Sequence, residues 1–205
     1  MLISEQHPLL LGSGSPRRRE LLAGLRIPLR VAPREIDESV LSGETPEQYL
    51  ERIATAKMRA VADFFDAHPE DPGAVLLVAD TIVVLENAIL GKPRDAAHAY
   101  QLLTQLAGKT HRVMTRYALR DRAPGAEIRA STMVTEVTLA NCSKESLTRY
   151  AETGEGLDKA GAYAAQGVGA FLVERISGSY TNVVGLPVSQ VVAELVAGGW
   201  LQQFP

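Results

Sequence analysis

The chain has 205 residues and a formal net charge of -3, which excludes a global basic field that would draw it to nucleic acid or an anionic membrane. Any anion it binds must therefore be held by a local cluster. Hydrophobic residues make up 46% and charged residues 22%, the balance of a soluble globular enzyme and not of a disordered or fibrous chain.

The length suits one substantial core, or two small lobes sharing one cleft. Cys142 is the only cysteine, so an internal disulfide framework and a cysteine-built zinc site are excluded. A reducing compartment, the cytoplasm, is the expectation. The first twelve residues lack a signal peptide's basic start and long apolar stretch. No segment approaches the ~20 uninterrupted apolar residues of a membrane helix.

Pro8 to Leu11 reads as a short buried strand, followed by Gly12-Ser13-Gly14-Ser15, after which Pro16 opens a helix through Leu21, Leu22 and Leu25. A second strand, Leu29 to Ala32, leads into an acidic loop with Glu35, Asp37 and Glu38. Thr45-Pro46-Glu47-Gln48 is a capping-box pattern that launches a long helix toward Phe65. Its apolar stripe is read as Leu50, Ile53, Ala54, Ala60, Val61 and Phe64, with Lys57 falling inside it.

After the Pro/Gly/Asp-rich turn His68 to Gly73, the run Ala74 to Leu85 is almost continuously apolar and β-branched, as in a central strand, broken only by Asp80 and Thr81. Glu86-Asn87 turns a hairpin into Ala88 to Leu90. Asp95 caps a helix with apolar Ala99, Leu102, Leu103 and Leu106, closed by Gly108. Val113 to Leu119 and Met133 to Leu139 follow as strands, separated by the turn-rich Asp121 to Gly125.

Ser143 caps a further helix to Glu152. A glycine-punctuated stretch then surrounds a predicted strand, Phe171 to Ile176, and Pro187 starts a terminal helix ending near Gly198. No internal repeat or linker is visible, which points to one mixed α/β domain over residues 1–205.

Chemistry concentrates in a few places. Arg17, Arg18 and Arg19 occupy the first turn of a helix, where the macrodipole favours acidic residues instead. A bound polyphosphate resolves that conflict, because first-turn amides, the Ser13 and Ser15 hydroxyls and guanidinium groups all donate to phosphate oxygens. The plainer alternative is a solvated basic face. Arg17 stands where a dinucleotide fingerprint requires its third glycine, and no lysine followed by Ser or Thr completes a P-loop.

Asp80, inside an apolar strand, needs a metal, a cation or hydrogen bonds to remain ionised. Polyphosphate hydrolysis needs magnesium or manganese and a carboxylate for the attacking water, so Asp80 suits either task, with Glu38 and Asp37 as further ligands. The alternatives are a structural carboxylate at Asp80 and an exposed turn at Asp37 and Glu38. Lys57 either finds an acceptor or snorkels, and Lys92 either reaches the same cleft or is a surface lysine. The Gln166 amide matches the O4 acceptor and N3–H donor of uracil or thymine, but a plain turn residue also fits.

Taken together, SGSPRRRELL from Ser13, the IDES loop at Ile36, ATAK ending at Lys57, VADTIV around Asp80, LGKPRDA around Lys92, GKTHRVMT from Gly108, DKAGAYAAQG from Asp158 and GSYTNVVGLP from Gly178 resemble the Maf family, the septum-formation inhibitor-like proteins. The resemblance spans nearly the whole chain, in order. It implies an elongated forked mixed sheet flanked by helices, with a cleft between two lobes, shared with inosine triphosphate pyrophosphatases. It implies a nucleoside triphosphate pyrophosphatase with Asp80 as proton acceptor, and Ser13, Arg17, Arg18, Glu38, Lys57, Lys92 and Asp95 as active-site groups.

Arg17, Thr81 and Gln166 are implied to set base specificity, and Asp80-Thr81 with the late loop is similar to the branch acting on dTTP, UTP and modified pyrimidine triphosphates. A divalent cation, Mg²⁺ or Mn²⁺, held by Glu38 and Asp80 is the implied cofactor, activating water for attack at the α-phosphorus. Neither nucleic acid nor membrane is an expected partner, and a homodimer is consistent with the family. Arg116 departs from the family in standing where a small residue is common. The rival readings are a nucleotide-binding regulator of septum formation that needs no turnover, and a sugar-phosphate or inorganic pyrophosphatase that needs no base-reading group.

Overall fold

Alternation along two neighbouring strands builds the core that carries the site. The computed structural model describes residues 1–204. Strand β1 (Leu9–Leu11) lies between two parallel neighbours, β2 (Leu29–Val31) and β3 (Val75–Leu85), with Leu9 opposite both Leu29 and Val75. A strand flanked on both edges and covered on both faces has no side left for polar residues, which is why β1 is all leucine. With β5 (Thr110–Asp121), β6 (Ile128–Leu139) and β7 (Val173–Ser177), the sheet has seven strands in the order β2-β1-β3-β5-β6-β7, with β4 (Ala88–Leu90) paired antiparallel to β3.

The chain divides into two compact units. The first comprises Met1–Asp80, Thr115–Thr132 and the segment from Gly185 onward; the second comprises Thr81–Met114 and Met133–Val184. Strands β3, β5 (Thr110–Asp121) and β6 (Ile128–Leu139) each contribute residues to both.

In the first unit the strand pleat separates two cores. Leu9, Leu11, Val75, Leu77 and Ala79 face Leu22 of α1 (Pro16–Gly24) and Val191 and Leu195 of α6 (Val188–Ala197). The alternate residues Leu10, Leu76 and Val78 face Met58, Val61 and Phe65 of α2 (Pro46–Ala67). A period of two along the strands thus assigns each residue to one helical layer. Both halves of the capping box at Thr45 and Gln48 form, with Thr45 Oγ1 accepting from the Gln48 amide at 3.2 Å.

The stripe of α2 sits slightly off the predicted line. Met58, Ala62 and Phe65 are buried, whereas Ala60 and Phe64 are only partly so. Phe64 instead lies at the edge, stacked on His68 and lying beneath the Arg34 guanidinium, 3.6 Å from the ring centroid.

In the second unit, α3 (Ala96–Leu106) and α4 (Lys144–Glu152) pack with Val83, Val113, Val137 and Leu139 around Leu103, Leu106 and Tyr150. Gly161 adopts φ 71° and lies so close to Val83 that a Cβ would meet its Cγ1 at 3.0 Å.

Several boundaries differ from the sequence expectation. Strands β5 and β6 run longer because His111, Arg112, Arg120 and the polar start of β6 interrupt the apolar pattern without interrupting strand pairing. The strand placed at Phe171 begins two residues later, as β7 (Val173–Ser177), because Gly167–Leu172 winds into a 3₁₀ helix. A short helix, α5 (Tyr180–Val184), was not read from the sequence, and Pro187 occupies the N-cap position of α6.

Candidate active site

The turn after β1 is shaped by an absent side chain. A Cβ on Gly12 would stand 2.6 Å from Val61 Cγ2 and 2.9 Å from Val78 Cγ1, so glycine lets the turn leave the sheet tight against α2. Ser15 then caps α1, its hydroxyl accepting from the Arg18 amide, and Pro16 opens the helix. No acidic residue lies in that first turn.

Arg18 is buried, its Nε donating to the Gly185 carbonyl at 2.8 Å and one terminal nitrogen to the Ser13 hydroxyl at 2.9 Å. Burial lowers the Arg18 pKa; Asp80 and Glu38 oppose this and Arg17 adds to it, leaving it below the usual value. The basic turn and the buried acid of β3 are therefore electrostatic neighbours within one unit. Arg18 is a fixed internal charge that shapes the turn, whereas Arg17 is partly exposed.

Asp80 is 8% exposed and shares a hydrogen-bonded ion pair with Lys57, at 2.6 Å from Nζ to Oδ1. The same ammonium reaches Glu38 Oε1 at 2.7 Å. Lys57 thus finds the acceptor that its place on the apolar side of α2 demanded, and it gathers two carboxylates on one cation.

The loop bearing Glu38 is tacked to α2 by two groups that the sequence reading passed over. Tyr49 OH donates to the Glu38 carbonyl at 3.1 Å, and Arg52 donates to the Ser39 carbonyl at 2.8 Å while pairing with Glu44. Burial, then Asp80 and Glu38, push the Tyr49 hydroxyl pKa well above the usual phenol range. Their one sequence signal is spacing: Tyr49, Arg52 and Lys57 recur along one side of the helix.

Asp37 does not join this group. Its carboxylate accepts from the Ser39 amide at 2.8 Å and turns its own loop, so of the two acids only Glu38 is brought to Lys57. Arg116 directs its guanidinium to the Thr132 hydroxyl at 3.0 Å and toward Glu51.

Thr81, Lys92, Asp95 and Gln166 belong to the second unit. Thr81 is half-buried, and Lys92 is exposed on the segment after β4. Asp95 caps α3, its carboxylate accepting from the His98 amide at 2.7 Å. Gln166 is exposed at the N-cap position of the 3₁₀ helix Gly167–Leu172. Tyr163, three residues earlier, is buried and bonded to His111 Nε2 at 2.8 Å.

Among the described residues no three His, Cys, Asp or Glu side chains form a cation cage. Asp80 and Glu38, already converging on one ammonium, supply the hard oxygen donors that magnesium or manganese takes together with substrate phosphate oxygens. The residues fit such an ion.

The model of the Maf-like proteins matches residues 8–197. The chain belongs to the Maf family. Among its Maf relatives, the dTTP/UTP pyrophosphatase of Nitratidesulfovibrio vulgaris is 45% identical over 94% of this chain and 89% of the relative. That of Myxococcus xanthus is 46% identical over 96% of this chain and 95% of the relative. A HAM1 protein from Coxiella burnetii shares the fold, with a TM-score of 0.52 at 17% identity, over 93% of this Maf chain and 99% of that one.

Proposed function

We propose that the protein hydrolyses dTTP and UTP, and modified pyrimidine triphosphates of similar shape, to the monophosphate and pyrophosphate. The observation that carries this is the Lys57 ammonium held between Asp80 and Glu38, in the same unit as the serine-arginine turn. The dTTP/UTP pyrophosphatases that match nearly the whole chain support the same substrate class.

In this reading Asp80 orients a water and accepts its proton as the water oxygen bonds to the α-phosphorus and the bond to the bridging oxygen breaks. Lys57 offsets the charge of the Asp80 carboxylate in its buried setting through their 2.6 Å ion pair. Ser13 and Arg17 bind phosphate oxygens at the start of α1, where the helix dipole favours anions, with Arg18 as the fixed charge behind them. Lys92 adds positive charge to the same substrate, and Asp95 orders the segment from Lys92 by capping α3. Thr81 and Gln166 select the base together with Arg17. Asp80 and Glu38 would hold a divalent cation, which would supply charge neutralisation for the triphosphate and polarisation of the phosphoryl group.

Asp80→Asn tests the assignment, because the amide oxygen can still accept from Lys57 while the base is lost. Turnover of UTP with magnesium should fall by at least about 100-fold with folding intact. An unchanged rate rejects Asp80 as the proton acceptor. Products resolved as UDP and phosphate, instead of UMP and pyrophosphate, reject attack at the α-phosphorus.

A further inference from the structure

The segment around Gln166 is clamped from within its own unit by two side chains that no functional reading has used. Glu155 accepts from the Val168 amide at 2.9 Å through Oε1 and from the Gly169 amide at 2.7 Å through Oε2. The Tyr150 hydroxyl donates to the Glu155 carboxylate and accepts from the Ala164 amide at 3.1 Å. The backbone is thus held two residues before Gln166, and two and three residues after it.

Glycines at both close approaches make room for this arrangement. Gly167 adopts φ 68°, and a Cβ there would lie 2.2 Å from Glu155 Oε1. A Cβ on Gly169 would lie 2.5 Å from the Tyr150 hydroxyl and 2.6 Å from the Ala164 carbonyl. The close approaches and the carboxylate therefore belong to one built feature, with the exposed Gln166 at its apex.

Burial pushes the Glu155 carboxyl up, but the Gly169 and Val168 amides, the Tyr150 hydroxyl and Lys159 outweigh it and hold its pKa below the usual value. The clamp is accordingly built for the ionised carboxylate. A glutamine in its place has one oxygen to offer, and its NH₂ would face a second N–H donor.

We propose that Glu155, with Tyr150, is a positioning residue for base selection: it presents the Gln166 amide in a fixed place to the pyrimidine edge without touching substrate itself. This rests on the reading of Gln166 as a base-selecting group. An amide carried on a mobile loop would lose much of its ability to separate uracil, with the O4 acceptor and N3–H donor, from cytosine, which has an amino donor in place of O4 and an acceptor at N3.

The test compares kcat/KM for UTP and CTP in the wild type, E155Q, Q166A and the double variant, with thermal unfolding of each. E155Q should lower the UTP-over-CTP ratio by about tenfold, through KM for UTP, and should change it little further when Gln166 is already alanine. Y150F, which removes the acceptor of the Ala164 amide, should move the ratio in the same direction and carries the test if E155Q does not fold.

A lowered melting temperature with an unaltered ratio in the folded variants would make the clamp merely structural and overturn the proposal. Equal, independent losses in the two backgrounds would also overturn it, since Glu155 would not be acting through Gln166. If Q166A itself leaves the ratio untouched, the reading of Gln166 fails first and takes this inference with it. A ratio lost in Q166A but kept in both E155Q and Y150F sinks this inference alone.

Discussion

His111 is 2% exposed in the core of the second unit, its imidazole bonded to the Tyr163 hydroxyl and set edge-on to that ring at 81°. Burial pushes its pKa down to about 4. An unfolded histidine titrates at about 6.5, so between about pH 6.5 and 4 the unfolded chain binds the proton and the folded chain does not. Stability from this residue is whole above that window and is lost as the pH falls through it. At about pH 5 the unfolded imidazole is almost wholly protonated and the folded one is largely neutral, a loss of about 2 kcal/mol relative to neutral pH.

That is a substantial part of the roughly 5–15 kcal/mol that holds an ordinary domain together. Urea unfolding of the wild type and His111→Gln at neutral pH and near pH 5 measures it. The variant should be less stable at neutral pH, through the lost ring packing, yet show a pH-induced loss smaller by about 2 kcal/mol. Tyr163→Phe, which keeps the imidazole buried, should retain the wild-type pH dependence. If His111→Gln loses as much stability between the two pH values as the wild type does, the buried imidazole is not the titrating group.

Two further changes probe how the site is built. Gly12→Ala places a methyl 2.6 Å from Val61 Cγ2 and should destabilise by about 1–3 kcal/mol while displacing the serine-arginine turn. Calorimetry and kcat/KM for UTP read both effects, and an unchanged melting temperature would show that α2 yields freely. Lys57→Met strands Asp80, 8% exposed, without its cation, and should cost about 3–5 kcal/mol together with nearly all turnover. Adding Asp80→Asn to Lys57→Met should restore much of the stability but none of the activity; failure to restore it in urea unfolding would show that the ion pair is not what the lysine contributes.

Legibility in the sequence followed the range of the responsible interaction. Thr45, Ser143 and Asp95 were readable as caps because each bond closes within three residues. The leucine run of β1 and the apolar run of β3 were readable because parallel strands covered on both faces leave no polar positions. The ends of β5 and β6 were not, since strand pairing carries charged residues that a hydropathy pattern treats as breaks. The helix Tyr180–Val184 is too short to show a period, but it brings Asn182 into the interior, where its amide donates to the Val113 carbonyl at 3.1 Å and the Thr135 hydroxyl at 3.0 Å.

The same division runs through the site. By itself the sequence determined the phosphate-type turn, the anomaly of a carboxylate in a buried strand, the lysine on the wrong side of its helix, and the family to which these motifs belong. Each is a conflict between a residue and its immediate neighbours, and local rules expose such conflicts. Only tertiary structure decided that Lys57 resolves the Asp80 anomaly and that Glu38, not Asp37, shares it. It also decided that Arg18 is spent holding the turn, and that Glu155 and Tyr150 brace the Gln166 loop. The long-range contacts among these join residues 13 to 167 positions apart, and no pattern in the chain encodes which acceptor a buried donor will meet until the strands and helices have packed.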